Sequence, residues 1–372
     1  MKKGWELKKL GDVCYSKSSN VSQNQLADEV GDYPIFGASG LIKNVSFYHR
    51  DKPYLSIVKD GSGFGRITKM DAFTSVIGTL QYILPNDDID LDYLNYSLMS
   101  VDFKKYVQGA AIPHIYFKDY KNEPFLWMPL SEQQHIVAIL DEAFVAIAKA
   151  KANAEQNLKN AKELFESYLQ GVFENSDWET KTLGEIGDPK MCKRILKHQT
   201  NTTGEIPFYK IGTFGKTPDA FISKEIYDEY RTKYSFPKKG DILISASGTI
   251  GRRVRYDGEP AFFQDSNIVW IDNNEKQVLN DYLYVFYEFC DWQPSKGATI
   301  SRLYNSNLTS IKIIFPKSLE EQKTILKKIN AVSAETKKLE AIYQQKINDL
   351  EELKKSVLQK AFSGELNLNA VI

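Results

Sequence analysis

Few residues in this chain have types and spacings that suggest chemistry. A glycine-rich run, Gly61-Ser62-Gly63-Phe64-Gly65, resembles a cofactor loop. Glycines that cradle a phosphate need a helix N-terminus directly after them. Here Arg66-Ile67-Thr68-Lys69 follows, an extended pattern, so a tight turn that places Arg66 is expected instead. Gly215-Lys216-Thr217 resembles the end of a phosphate-binding loop, but Lys210 stands where the first glycine of that motif belongs. The four histidines, His49, His114, His135 and His198, have no metal-ligand spacing with the cysteines. His135 reads as a surface residue, and Asp87-Asp88, beside Pro85 and Asn86, reads as a solvated loop.

Basic side chains interleaved with polar and aromatic ones are the remaining candidates, and their chemistry is that of binding phosphates and base edges. In the first half of the chain these are Lys59, Arg66, Lys69, Lys104 and Lys105. In the second they are Lys193, Arg194, Lys197, Arg231, Lys233, Arg252, Arg253, Arg255 and Arg302. For any one of them the plain alternative is a solvated charge. Arg66 and Arg252 stand apart because each follows a glycine turn at an equivalent place. Arginine can pair bidentately with guanine O6 and N7, whereas lysine more often anchors a phosphate. Lys193, Arg194 and Lys197 are read as part of an insertion in the second half, a loop suited to entering a groove.

The elements that must position these residues come from two long helical stretches. After Pro129 the chain runs to Phe173 without proline, and without glycine until Gly171. Its apolar seam is Ile136, Leu140, Phe144, Ile147, Ala154, Leu158, Ala161, Phe165, Tyr168 and Val172, with Lys151 as its one charged member. Such a heptad pattern predicts a coiled-coil helix, and about 42 residues would reach roughly 63 Å. Ser131 and Gln134 are expected to cap it. Pro316 to Phe362 supplies the partner, with Ser318 and Glu321 as cap. Its seam is read as Val332, Thr336, Leu339, Tyr343, Lys346, Leu350, Leu353 and Val357. The two helices should pack antiparallel.

The globular parts repeat as well. Trp5-Glu6-Leu7-Lys8-Lys9-Leu10-Gly11-Asp12 returns as Trp178-Glu179-Thr180-Lys181-Thr182-Leu183-Gly184-Glu185. Ser62 to Arg66 returns as Ser247 to Arg252, Asp92-Tyr93-Leu94 as Asp281-Tyr282-Leu283, and Gln108 to Ile112 as Lys296 to Ile300. Tyr54–Val58, Asp241–Ser245 and Ile268–Ile271 read as strands, and Asp92–Tyr106 and Asp281–Trp292 as helices capped by aspartate. The expected fold is α+β. Two similar mixed globules are separated by two long antiparallel coiled-coil helices in an internal pseudo-two-fold repeat. The predicted divisions are 1–129, 130–177, 178–316 and 317–372. A repeated frame with divergent inserts suggests two readers of different texts.

Composition limits the options further. Among 372 residues, 48 basic and 48 acidic side chains cancel, which argues against an indiscriminate polyanion binder. Any nucleic-acid surface must be a local face. Three widely spaced cysteines suit reduced thiols and a cytoplasmic protein. The basic N-terminus lacks the apolar run of a signal peptide, and no stretch is apolar enough to cross a bilayer.

Pro129-Leu130-Ser131-Glu132-Gln133-Gln134 with Ile136 resembles the opening of the central helix in type I restriction–modification specificity subunits. The start motifs at Trp5 and Trp178 are similar to the start of each half in that family, and the layout of the whole chain matches. The second helix departs from the pattern, reading Leu319-Glu320-Glu321-Gln322 without proline directly before leucine. The resemblance implies a non-catalytic subunit in which each globule, a target-recognition domain, reads one half of a split duplex DNA site. The helices would hold the halves apart and dock two adenine-N6 methyltransferase subunits, and restriction–translocase subunits would join. AdoMet, ATP and Mg²⁺ would belong to those partners, with no cofactor in this chain and no membrane association. The adenine-methyltransferase tetrapeptide, Asn/Asp-Pro-Pro-aromatic, does not occur. A coiled-coil scaffold that binds no DNA, and a nuclease or modification enzyme in its own right, are the competing readings.

Overall fold

The computed structural model describes residues 4–109, 111–175, 177–292 and 301–365. They form two compact units, one of residues 1–158 with 342–372 and the other of 159–341. Neither boundary falls between a globule and its helix. The first long helix, Leu130–Phe173, and the second, Leu319–Ser363, each begin in one unit and end in the other.

In the first unit, strand Glu6–Lys9 pairs antiparallel with Pro124–Trp127, so the start motif closes the globule against the strand that feeds the long helix. The Lys9 amide donates to Asp12 Oδ2 at 3.1 Å, and Leu10 is buried. The Trp5 indole N–H donates to Glu132, which joins the start motif to the helix opening. A four-stranded antiparallel sheet runs in the order Cys14–Ser18, Leu80–Pro85, Tyr54–Val58, Ile67–Met70. A three-stranded sheet, with Tyr33–Gly37 between Gly40–Val45 and Ser75–Val76, covers one of its faces. Tyr54–Val58 is buried throughout because alternate residues serve two cores. Tyr54 and Val58 pack toward the smaller sheet, while Leu55 and Ile57 join Tyr93, Leu94 and Leu98 of helix Leu91–Met99.

The second unit repeats the plan. Glu179–Thr182 pairs with Lys312–Phe315, and Thr182 N donates to Glu185 Oε2 at 2.7 Å. Its large sheet runs Gly187–Lys190, Ile268–Asn273, Ile242–Ser245, Arg253–Arg255, and Ile206–Tyr209 centres the smaller one. The strands expected around residues 54, 242 and 268 are therefore present. The extra length of this copy lies after Ile206–Tyr209 and includes helix Lys224–Lys233, which buries Tyr227. The separation of Gly187–Lys190 from Ile206–Tyr209 equals that of Cys14–Ser18 from Tyr33–Gly37. Lys193, Arg194 and Lys197 thus lie on a segment common to both copies and not in the insertion.

Within each unit the long helices run antiparallel. In the first, Lys151 Nζ lies 2.7 Å from Glu351, Lys354 lies over the Phe144 ring, and Ile136 and Leu140 share a core with Ala361. In the second, Lys162 and Glu340 line one groove, while Leu169 and Phe173 share a core with Leu326 and Ile329. The expected seam of the first helix is buried or half-buried at every position. On the second helix the expected seam fails partway: Leu339 is 38% and Leu353 48% exposed, and Lys346 faces solvent. Ile347, next to Lys346, is the buried residue. Two apolar stripes compete on this helix, and the inward one is set by packing against the facing helix.

Three caps also differ from expectation. The first long helix begins at Leu130, one residue before Ser131, with the Pro129 carbonyl accepting from the Glu132 and Gln133 amides. Asp90, not Asp92, caps Leu91–Met99 by accepting from Asp92 N and Tyr93 N. Asp281 lies inside the first turn of helix Asn280–Phe286, after Leu279. Both of these helices are shorter than expected, and Phe103–Tyr106 is a separate 3₁₀ turn. Ser318 does cap the second long helix, accepting from Glu321 N at 3.3 Å.

Gln133 and Gln322 are wholly buried at equivalent places in the first turn of each long helix. Gln133 Nε2 donates to the Met128 and Asp88 carbonyls at 2.8 and 3.0 Å, and its Oε1 accepts from Asp90 N at 2.9 Å. Gln322 donates likewise to Pro316 and Gln277 and accepts from Leu279 N. Leucine at either position would remove the partner of two carbonyls and one amide, one of those carbonyls buried, at a cost of about 3 kcal/mol. Scanning calorimetry of Gln133→Leu and Gln322→Leu should show a lowered unfolding transition. Unchanged transitions in both would mean the fold does not depend on these bonds.

Candidate nucleic-acid interface

The two glycine turns are built alike. In the first unit Val58 N donates to the Arg66 carbonyl at 2.9 Å and Gly65 N to the Val58 carbonyl at 2.8 Å. In the second Ser245 N donates to Arg252 O at 2.9 Å and Gly251 N to Ser245 O at 3.0 Å. Gly65 has φ +78° and Gly251 φ +82°, which side chains rarely adopt. A Cβ would lie 2.9 Å from Phe103 at the first and 2.2 Å from Trp292 Nε1 at the second. Each turn joins antiparallel strands, so no helix N-terminus follows the glycines, as the sequence indicates.

Around the first turn the chain gathers one end of the globule. Gly61 N donates to Pro113 O, Ile115 N to Lys59 O, and Gln108 and His114 exchange backbone bonds. The 3₁₀ turn Phe103–Tyr106 packs beside it through Phe103 and presents Lys104 and Lys105 to solvent, with no carboxylate partner among the described residues. Lys59 pairs with Asp60 at 2.7 Å. Sequence reasoning missed the exposed Tyr116, whose ring carries Lys118 at 5.0 Å and meets His114 at 4.9 Å. The only signal was the aromatic among basic residues. The second copy of the Gln108–Ile112 repeat, Lys296 to Ile300, lies outside the described residues.

In the second unit Arg194, Lys197 and Arg302 line one cavity of about 510 Å³, together with Lys210, Asp265 and Asn267. Arg194 pairs with Asp265 at 2.7 Å, and Arg302 Nη2 donates to Ser266 Oγ at 3.1 Å and Asn267 Oδ1 at 3.3 Å. Lys197 is exposed, with no carboxylate partner among the described residues. Lys210, also missed, pairs with Asp219 at 2.8 Å. Lys193 lies 4.7 Å from the Tyr234 ring centre. Arg231 sits over Tyr227 and Phe236 and donates to Tyr227 Oη, while Lys233 pairs with Glu229.

Other candidates tie elements together. Lys69 bonds Asp92 through both carboxylate oxygens, at 2.7 and 2.8 Å. Arg255 bonds Asp281 at the equivalent place. Each pair links the strand after the glycine turn to the first turn of the globule's helix, which is the use the structure finds for those two aspartates. Arg253 pairs with Glu288 at 2.8 Å and lies 4.5 Å from the Tyr284 ring centre.

No group of three or more His, Cys, Asp or Glu suited to holding a metal occurs among the described residues, and no described helix is long and apolar enough to cross a membrane. Cys14, Cys192 and Cys290 are free and buried. Burial pushes each thiol up to about 12. At pH 8 the thiolate fraction is then about one in ten thousand. A disulfide reagent such as DTNB should therefore titrate all three thiols in denaturant and none promptly in the native chain. Rapid native labelling would show a reactive cysteine.

This duplicated frame is found elsewhere. The chain matches the type I restriction modification DNA specificity domain twice, over residues 2–158 and 175–352. It is 41% identical over 310 residues to the Haemophilus influenzae type I restriction enzyme specificity subunit S.HindORF215P, covering 80% of this chain and 79% of that protein. Its fold resembles a chain from a solved type I restriction–modification system, with TM-score 0.74, 18% identity and coverage of 98% and 99%. It also resembles the HsdS subunit from Thermoanaerobacter tengcongensis, with TM-score 0.61, 17% identity and 98% of each chain covered. The chain belongs to the type I restriction–modification DNA specificity family.

Proposed function

We propose that this specificity subunit reads a split, asymmetric duplex DNA site, one half with each globule. The supporting observation is that one frame, repeated down to its hydrogen bonds, carries two unlike basic loop clusters. In the first, Lys104 and Lys105 stand beside the glycine turn, and Lys118 lies over the Tyr116 ring. In the second, Arg194, Lys197 and Arg302 gather around Asp265 and Asn267, and Lys193 lies over the Tyr234 ring. Exposed lysines contribute phosphate contacts and salt dependence; the loops between them supply base contacts. Because the clusters differ, the halves of the site should differ.

The long helices set the unread spacer and carry the partners. Among the apolar residues they leave exposed, Leu339, Ile342 and Leu353 on the second and Val145 and Leu164 on the first suit docking of two methyltransferase subunits. Restriction–translocase subunits join that assembly. AdoMet, ATP and Mg²⁺ are held by these partners, and this chain contributes recognition without catalysis.

Methylome sequencing of cells carrying the complete system should give a bipartite, non-palindromic motif. Removing one heptad from both helices should shorten the spacer and keep both halves, and a continuous or palindromic motif in the parent would overturn the reading. The purified chain given AdoMet, ATP and Mg²⁺ should leave duplex DNA unmodified and uncut. Turnover abolished by one substitution in this chain would make it an enzyme.

A further inference from the structure

Arg66 and Arg252 occupy the same position after equivalent turns, and each guanidinium is directed at its own protein. Arg66 Nη2 donates to the carbonyl of Ala38, in the turn between strands Tyr33–Gly37 and Gly40–Val45. Arg252 Nη1 donates at 3.0 Å to the carbonyl of Phe214, in the loop between Ile206–Tyr209 and Phe221–Ile222. These acceptors are equivalent: each lies in the connection between the same two strands of the smaller sheet. The side chains also lie along glycines. A Cβ on Gly63 would sit 3.8 Å from Arg66 Cζ, and one on Gly215 3.7 Å from Arg252 Cδ. Arg252 is fixed further by its own amide, which donates to Ser245 Oγ at 2.8 Å, and Ser245 Oγ donates in turn to Thr249 O.

From this we infer that Arg66 and Arg252 are positioning residues, each bracing the glycine turn of the large sheet against the hairpin loop of the small sheet so that two loops form one recognition surface. The two loops come from different sheets, and this is a shared side-chain link between them in both units. A charged donor to a main-chain carbonyl holds that link whatever residues the loops carry, so loop sequence can diverge while the brace stays. An arginine that reads guanine needs two N–H groups aimed outward together. A guanidinium anchored on a loop carbonyl is instead committed to the shape of the surface.

The inference rests on the DNA-reading proposal for its functional arm, so the test has two arms on the full chain. The first needs no DNA. Amide exchange of Phe214–Lys216 should rise tenfold or more in Arg252→Ala, and Arg252→Lys, which retains a charged donor group, should stay within about threefold of the parent. The second arm measures binding of the complete methyltransferase complex to a series of single-base variants of its site. Arg252→Ala should lose discrimination at several positions of one half-site and none of the other, Arg66→Ala should do the converse, and Arg252→Lys should restore most of the loss. Exchange unchanged in Arg252→Ala would overturn the brace. So would loss confined to one base position that lysine cannot rescue, the mark of a base reader. Should Arg252→Ala fail to fold, Arg252→Lys decides alone: brace function predicts near-parent discrimination, and base reading predicts its loss at one position. A parent complex indifferent to DNA sequence would sink the DNA-reading proposal, and the exchange arm would still judge the brace.

Discussion

The structure depends on how a long, mostly solvent-exposed helix is held at a fixed attitude to a small globule. Apolar packing alone is non-directional and tolerates sliding. A wholly buried glutamine amide is directional. Gln133 and Gln322 each satisfy a carbonyl from the link between the last strand and the long helix, and a carbonyl and an amide from the loop entering the globule's helix. Sliding the helix by a residue would leave the wholly buried amide without these partners, which is costly. The glutamine of the Glu-Gln pair that marks both helix openings is therefore a joint.

The same economy runs through each globule. The strand-to-helix ion pairs Lys69–Asp92 and Arg255–Asp281 recur with different cations in the same role. Residues that hold the frame, the glycine turns included, are repeated between the copies, and the basic residues around those turns are not. Shape is fixed by the frame, leaving the loops free to vary.

Much of this architecture was readable from the residues. The duplication, the central strands, the glycine turns and the seam of the first helix all follow from pattern alone. The second helix was harder because two stripes have the same spacing: Leu339, Lys346 and Leu353 on one face, Thr336, Tyr343, Ile347 and Leu350 on the other. Periodicity cannot choose between stripes when the choice is made by a partner. The basic residues were harder still. A lysine committed to a carboxylate, such as Lys69, and an exposed one, such as Lys104, have the same letter, and the carboxylate lies far along the chain. The aspartates at 92 and 281 misled for a related reason. Their place near a helix start suggested capping, whereas their carboxylates reach across to another strand.

The first globule's core is closed by residues from the end of the second long helix. Val357, Ala361 and Phe362 pack with Trp5, Leu94 and Tyr93, and the Phe362 ring centre is 5.2 Å from that of Tyr93. A ribosome adding roughly 5–20 residues per second emits these side chains on the order of ten to forty seconds after Leu140. For that interval the first globule keeps an apolar face uncovered, exposed to chaperones, proteases and other nascent chains. Its folding is completed after translation of the other half. A stop codon late in the second helix would therefore injure the globule that is translated before the other.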